Sequence, residues 1–402
     1  EEYFAVFGKT SSELFVVTNK FSDFKRLYLY KEGKFTPVSP EVSRDIEGLN
    51  VSGNHKRMFV QWNDGGYAKT QAFDPYTLKF SDIPYLPKSA QQSYVGSVSR
   101  MGRYASVGIE TGLEPRTSYV LDIGTGKLTQ WVRPSLPEID SKNFVPQTLE
   151  FYPAADGTKI PMLVTRPVAC AKQVCPVVVD FHGGPEGQSR PGFDRVAQLY
   201  AAHGFIYVEP NVRGSEGYGR KWMSADDGAK RLKVITDIED AAKFIRKEWA
   251  KNGVEPKVGV TGGSYGGYST LVAMTKFAGA YDAGVSNVGM SNLRSFLLNT
   301  APYRRILRIS EYGDPEKDRE ALEQLSPITY IDQVKAPFMI IQGASDPRVP
   351  VGEALQMRSA LAARGIQAPL IIFADEGHGS AKRDNKVIQI GAGLEFFEQH
   401  LK

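Results

Sequence analysis

Cysteine is scarce in this chain. There are two in 402 residues, Cys170 and Cys175. A lone pair, with no further Cys or His at zinc-ligand spacing, argues against a metal site. Two readings of the pair stand. They are inert thiols, or they close a small disulfide loop, which would place the protein outside the reducing cytosol; a periplasmic or secreted location is expected, with cytoplasmic as the alternative. No apolar run reaches the roughly 18–20 residues of a membrane span. Runs of basic residues are also missing: 49 Lys and Arg stand against 45 Asp and Glu, for a net charge of +4. A nucleic-acid partner is therefore not expected. The chain begins Glu1-Glu2-Tyr3, with no methionine and no signal-peptide pattern. With 42% hydrophobic and 23% charged residues, it has the composition of a folded protein, long enough for two domains.

Helical periodicity is absent from residues 1–142, which read as short strands and turns. A blurred repeat runs through them. Glu13–Val17 is followed by Arg26–Tyr30 and a Lys-Glu-Gly-Lys turn. Lys56–Val60 is followed by Thr70–Phe73 and an Asp-Pro-Tyr-Thr turn. Gly102–Ser106 is followed by Ser118–Leu121 and a turn over Asp122–Gly126. Phe15, Phe59 and Tyr104 are spaced by 44 and 45 residues, about the length of a four-stranded propeller blade. Three blades are expected, a partial β-propeller; the competing reading is a β-sandwich. A closed propeller usually has at least four blades. Glu1 is accordingly expected not to be the natural start. The open edges suggest a homo-oligomer or association with the missing blades.

Pro134, Pro137 and Pro146 mark a crossing into a second domain, residues 143–402. A hairpin turning at Asp156-Gly157 opens it. Strands and helices then alternate. Strands are expected at Val177–Phe181, Phe205–Glu209, Val258–Val260, Ala283–Asn287, Pro337–Ile341 and Pro369–Phe373. Helices are expected at Phe193–His203, Asp237–Lys251, Glu353–Arg364 and from Val387 to the end. Such alternation implies a doubly wound, mostly parallel sheet, with functional groups just beyond the carboxyl ends of its strands.

Gly262-Gly263-Ser264-Tyr265-Gly266 fits G-x-S-x-G between a strand and a helix. In a nucleophile elbow the turn is so tight that only glycines fit around the exposed serine. Alone the motif is weak, so an acid and a histidine are needed downstream. Asp346 lies past the strand ending at Ile341, and His378 past the one ending at Phe373. The order Ser264, Asp346, His378 is that of α/β-hydrolases. Of the five histidines, His55 lies in the β region, His203 at a helix end, His400 in the tail and His182 in a Gly-rich loop. His378 would act as general base and then acid, with Asp346 fixing its tautomer. Asp375 and Glu376 are too near His378 in sequence to be favoured as its orienter. Oxyanion donors are expected from the Tyr265 N–H and from the His182-Gly183-Gly184-Pro185 loop.

These stretches, together with Asn211–Gly219 and Ser345-Asp-Pro-Arg348-Val-Pro350, resemble the prolyl oligopeptidase family of serine peptidases, and its acylaminoacyl-peptidase-like bacterial branch in particular. The resemblance covers about residues 148–402. It implies a propeller capping an α/β-hydrolase domain, with peptide substrates admitted between them and no cofactor. It matches Gly184 and Tyr265 to the oxyanion donors, with Gly183 adjacent, and Arg348 to a residue contacting a substrate carbonyl. Phe296, Tyr303 and Tyr312 are read either as lining the pocket for the residue before the cleaved bond or as packing aromatics. Arg304, Arg305 and Arg308 are favoured as a solvated or salt-bridged helix face, and Arg213 as a loop-fixing residue. The expected activity is peptide hydrolysis through an acyl-enzyme. A carboxylesterase, or a propeller-based binding protein with a silent hydrolase domain, are the alternatives.

Overall fold

A computed structural model describes residues 2–83, 85–135 and 138–402; Glu1 and the linker residue Pro137 lie outside them. The chain divides into two units. The first holds residues 1–147, 190–194 and 216–223, and the second holds 148–189, 195–215 and 224–402.

Among the described residues of the first unit, twelve strands form three four-stranded meanders. They are β1–β4 (Tyr3–Phe7, Glu13–Thr18, Arg26–Lys31, Lys34–Pro37), β5–β8 (Asp45–Val51, Met58–Asp64, Tyr67–Asp74, Lys79–Asp82) and β9–β12 (Gln92–Val98, Tyr104–Glu110, Thr117–Asp122, Lys127–Val132). Phe15, Phe59 and Tyr104 each fall in the second strand of a meander, so the sequence repeat is the blade repeat. The turn between β3 and β4 places Glu32 and Gly33 at φ of 50° and 77°, the positive-φ pair that a two-residue hairpin loop requires. Between strands, alternate side chains point inward. Phe15, Val17, Leu27, Ile46, Met58, Val60, Trp62 and Phe73 make one core, and Phe59, Val95, Ala105, Val107, Ile109 and Leu121 another. The second and third meanders are joined into one sheet by a single parallel pairing, Ala68 with Gln92. The two later segments are tied in by side chains. Arg190 pairs with Glu47 (2.8 Å), and the Lys221 N–H donates to Asp23 (2.8 Å) within the short helix Arg220–Met223.

The second unit is built on eight strands. They are β13 (Gln147–Pro153), β14 (Lys159–Thr165), β15 (Val177–Phe181), β16 (Ile206–Pro210), β17 (Val258–Gly263), β18 (Ala283–Asn287), β19 (Phe338–Gly343) and β20 (Leu370–Phe373), in the order 13-14-16-15-17-18-19-20. β14 runs antiparallel to β16, and the pairs from β16 to β20 are parallel. With Arg220–Met223 of the first unit counted as α2, the helices of the second unit are α1 (Arg195–Ala202), α3 (Arg231–Val234), α4 (Asp237–Glu248), α5 (Tyr265–Met274), α6 (Leu293–Asn299), α7 (Pro302–Tyr312), α8 (Arg319–Leu325), α9 (Gly352–Ala362) and α10 (Arg383–Leu401). Alternation along β18 shows why both faces are covered. Ala283 and Val285 join the cluster of Tyr200, Phe396, Phe397 and Leu401 from α1 and α10. Gly284, between them, faces Met274 of α5, 2.7 Å from where its Cβ would stand. Strands buried on both faces read as continuous apolar runs, as Val177–Val179 do. This is an α/β-hydrolase domain preceded by an all-β, blade-built region.

Cys170 and Cys175 are joined by a disulfide, their Cα atoms 5.6 Å apart. The closed loop is short, so losing its constraint on the unfolded state costs about 2 kcal/mol at most. The Cys170→Ser/Cys175→Ser variant is expected to unfold at slightly lower urea with unchanged slope. Thiol counting on unreduced wild-type protein should find none free; two free thiols would overturn the bond.

Candidate active site

β17 ends at Gly263 and α5 begins at Tyr265. Ser264 stands alone between them at φ 61°, ψ −114°. A residue with a side chain rarely occupies that region, and doing so costs on the order of 1–3 kcal/mol. Its neighbours hold it there. The Ser264 N–H donates to the Asn287 carbonyl at the end of β18 (3.0 Å), and its own carbonyl accepts from Tyr268 N–H in α5 (2.9 Å). The motif glycines are dictated by space. A Cβ on Gly262 would lie 2.5 Å from the Phe181 carbonyl oxygen, and one on Gly266 would lie 1.7 Å from it.

The acid and the histidine come from the ends of the next strands. His378 Nδ1 lies 2.7 Å from Asp346 Oδ2. The Asp346 side chain is buried, and its other oxygen accepts the N–H groups of Arg348 (2.8 Å) and Val349 (3.0 Å). Those bonds aim the carboxylate, and the carboxylate fixes the imidazole by Nδ1, leaving Nε2 for other chemistry. Ser264 and His378 line one cavity of about 180 Å³, together with Asn287, Phe373, Gly379 and Gln389. No hydrogen bond joins the Ser264 hydroxyl to the ring among the described residues. Such bonds are often long in resting sites and tighten when substrate binds.

The two expected oxyanion elements adjoin the serine. Tyr265 opens α5, so its N–H is one of those that helix geometry leaves without an intrahelical partner. A Cβ on Gly183 would lie 3.4 Å from the Ser264 Cβ, so this loop passes directly over the nucleophile. Gly184 has φ 139°, and a Cβ there would meet Gly187 N at 2.4 Å. His182 braces the loop. Its Nδ1 lies 2.9 Å from the Gly183 carbonyl and its Nε2 2.7 Å from Ser215 Oγ. Burial lowers its pKa, so the ring is neutral. The Ser215 hydroxyl in turn donates to the Val212 carbonyl (2.7 Å).

The remaining candidates divide. The Arg348 side chain is exposed and has no bond or ion pair among the described residues, while its carbonyl accepts from Thr300 Oγ1 (2.8 Å). Phe296 and Tyr312 are buried and pack edge to face at 5.6 Å. Tyr303 is 67% exposed and makes no ring contact with either, so the three aromatics do not converge. Glu376 serves its turn, accepting from the N–H groups of Ala381 (3.0 Å) and Lys382 (2.9 Å). Arg213 ties its loop to Asp237 (2.6 Å) and Asp156 (2.5 Å). Asp226, Asp227 and Glu311 bring three carboxylates together, but the charge facing Asp226 and Glu311 is a guanidinium, that of Arg231. Sequence reasoning missed that cluster. Its carboxylates lie on two stretches of chain, Glu311 being 80 residues from the Arg231 it bonds, and nothing local marks them.

Residues 191–402 match the model of the prolyl oligopeptidase family, more than half the chain and all three residues of the serine–acid–histidine set. The chain belongs to the prolyl oligopeptidase family. Among curated members, dipeptidyl aminopeptidase BIII of Pseudoxanthomonas mexicana is 34% identical over 67% of this chain and 41% of its own length. Dipeptidyl peptidase family member 6 of Caenorhabditis elegans is 36% identical over 56% of this chain and 31% of its own length. The chain thus spans 31–41% of the length of these relatives. Among solved structures, a puromycin-hydrolyzing peptidase of Mycobacterium tuberculosis superposes with a TM-score of 0.88 at 23% identity, over 99% of this chain and 62% of that one. An acylaminoacyl peptidase of Pyrococcus horikoshii gives 0.80 at 21% identity, over 100% and 63%. At these identities the superpositions speak to fold.

Proposed function

We propose that the chain carries the catalytic machinery of a serine peptidase that hydrolyses peptides through an acyl-enzyme on Ser264. The observation that carries this is the His378–Asp346 pair at 2.7 Å, opening on the same cavity as a serine held at positive φ. His378 Nε2 takes the Ser264 proton as the hydroxyl oxygen attacks the scissile carbonyl. Asp346 stabilises the imidazolium that results. The N–H groups of Tyr265 and of the Gly183-Gly184 loop receive the oxyanion. The imidazolium then returns its proton to the leaving amine, and water repeats the cycle on the ester. Family members named for releasing dipeptides, for prolyl cleavage and for removing acylated residues support peptides as the substrate class. The test is a panel of chromogenic peptides with free and acylated amino ends, run beside simple esters and an active-site fluorophosphonate. Labelling at Ser264 with cleavage of at least one peptide series is expected; labelling with ester turnover alone would replace the reading by a carboxylesterase.

Arg348 fits a substrate-backbone contact, since its guanidinium is exposed and unengaged next to the acid. Arg348→Lys keeps the charge but loses the planar fork. It is expected to lower kcat/KM for peptides by about 10–100-fold, and for 4-nitrophenyl acetate by much less. Equal losses on both would assign the residue to placing Asp346 instead.

The Cys170–Cys175 bond supports a periplasmic or secreted location, where such a bond persists. No helix among the described residues is long and apolar enough to cross a membrane.

A further inference from the structure

Helix α7 is weakly rooted. Of its eleven residues only Glu311 and Tyr312, at its carboxyl end, are buried, while Tyr303, Ile306 and Leu307 stand in solvent. Both buried residues meet the same side chain. Arg231 is fully buried; its Nη2 bonds Glu311 Oε1, and its guanidinium lies 4.6 Å from the centre of the Tyr312 ring. The other side of the same guanidinium belongs to the nucleophile elbow. Nε and Nη2 bond Asp226 Oδ2 at 3.1 and 3.0 Å, the Tyr265 hydroxyl donates to that oxygen at 3.3 Å, and the Tyr265 ring centre is 5.3 Å from the guanidinium carbon. Tyr312 in turn supports Phe296 of α6. A second tie runs from α7 to the oxyanion loop, Arg308 Nη1 to the Gly184 carbonyl at 3.5 Å.

Resting on the peptidase reading above, we propose that Arg231 is a positioning residue for substrate selection. It fixes α7, and with it the Tyr312–Phe296 wall, against Tyr265 of the elbow, and so sets the shape of the pocket for the side chain preceding the cleaved bond. The physical case is one of alternatives. Arg231 is fully buried and its Nη2 finds two acceptors on α7, the Glu311 carboxyl and the Glu311 main-chain carbonyl (3.3 Å), so undocking α7 would leave a buried donor unpaired. A helix with two buried residues has little else to hold it. Burial pushes the Glu311 carboxyl up to about 8, against the opposing pull of Arg231. It therefore keeps its proton at neutral pH and meets Arg231 as a neutral acceptor. Glutamine keeps an oxygen for Arg231 Nη2, whereas alanine removes the side-chain tie and leaves the Glu311 main-chain carbonyl (3.3 Å) and the Tyr312 ring as what joins Arg231 to α7.

The experiment compares wild type, Glu311→Gln, Glu311→Ala and Arg231→Met. Two esters serve as substrates, 4-nitrophenyl acetate and the 4-nitrophenyl ester of N-acetyl-phenylalanine, because their acyl groups differ in what fills the pocket. Fluorophosphonate labelling of Ser264 is measured alongside. Glu311→Ala is expected to raise KM for the phenylalanine ester by about 10–100-fold, with acetate turnover and labelling within about threefold; Arg231→Met, which also frees the Tyr265 side chain, is expected to raise that KM at least as far. Glu311→Gln is expected to behave as wild type. A parallel fall of both esters and labelling in Glu311→Ala, tracking lost thermal stability, would overturn the proposal in favour of a purely structural role. So would an unchanged ester ratio. Should Arg231→Met not fold, the Glu311 pair decides. Because both substrates are esters, failure of wild-type protein to cut any peptide would sink the peptidase reading while leaving this comparison readable.

Discussion

Ser264→Ala is expected to lower kcat for every peptide and ester by about 10⁴–10⁶-fold and to leave the fold intact. The second half of that expectation is as informative as the first. Alanine at φ 61° meets the same backbone strain as serine, and the bonds that hold the elbow, Ser264 N–H to Asn287 and Tyr268 N–H to Ser264, are main-chain bonds. The thermal midpoint should therefore move by no more than about 2 °C. His378→Ala should lose nearly as much activity, because an unassisted hydroxyl is a poor nucleophile. The double variant should lose little beyond either single one, since serine and histidine act as a unit. Losses that multiply in the double variant would mean that His378 does not serve Ser264. The chosen measurements are single-turnover release of 4-nitrophenol, fluorophosphonate labelling and thermal unfolding of all three proteins.

The site was legible because each of its parts is local in sequence. The elbow is one unbroken stretch of chain. Asp346 lies just past β19 and His378 just past β20, where a parallel sheet gathers its functional groups. The blades were legible for a related reason: each is an up-and-down meander, so its hydrogen bonds join consecutive strands and its period is written along the chain. What escaped was long-range. The pairing of Ala68 with Gln92 that fuses two blades into one sheet leaves no periodic trace. Nor does the inclusion of 190–194 and 216–223 in the first unit, which rests on contacts such as Arg190 with Glu47, 143 residues away. The helix expected from Phe193 starts at Arg195, and the Phe193 N–H ahead of it donates to Glu110 (3.0 Å), a partner 83 residues away. Tyr312 and Phe296 were left between pocket and packing. Both are buried and pack on each other, and the guanidinium of Arg231 lies 4.6 Å from the Tyr312 ring, a contact between residues 81 apart in sequence that nothing local marks.

The other large effect is expected from one methyl group. Gly266→Ala places a Cβ 1.7 Å from the Phe181 carbonyl oxygen, 2.7 Å from its carbon and 3.1 Å from the His182 carbonyl oxygen. All three are backbone atoms, so no side chain can swing aside. Either α5 moves away from β15, or the end of β15 moves and carries His182-Gly183-Gly184 with it. In both cases the Tyr265 N–H and the Gly183-Gly184 loop lose their common aim, and an oxyanion donor displaced by about an ångström is worth roughly 10²–10³-fold in kcat. Overpacking a rigid core of this kind costs on the order of 1–3 kcal/mol or more, a fall in thermal midpoint of roughly 5–10 °C for a domain of this size. Gly263→Ala is the internal control. It lies in the same motif, beside Gly262 at the end of β17, and a Cβ there meets nothing within 4 Å. Its stability should stay within about 0.5 kcal/mol of wild type. Thermal unfolding and fluorophosphonate labelling of the two variants, side by side, read the contrast. If Gly266→Ala unfolds and labels like Gly263→Ala, the elbow is looser than these contacts require, and the tight approach of α5 to the Phe181 carbonyl is not what keeps Ser264 in place.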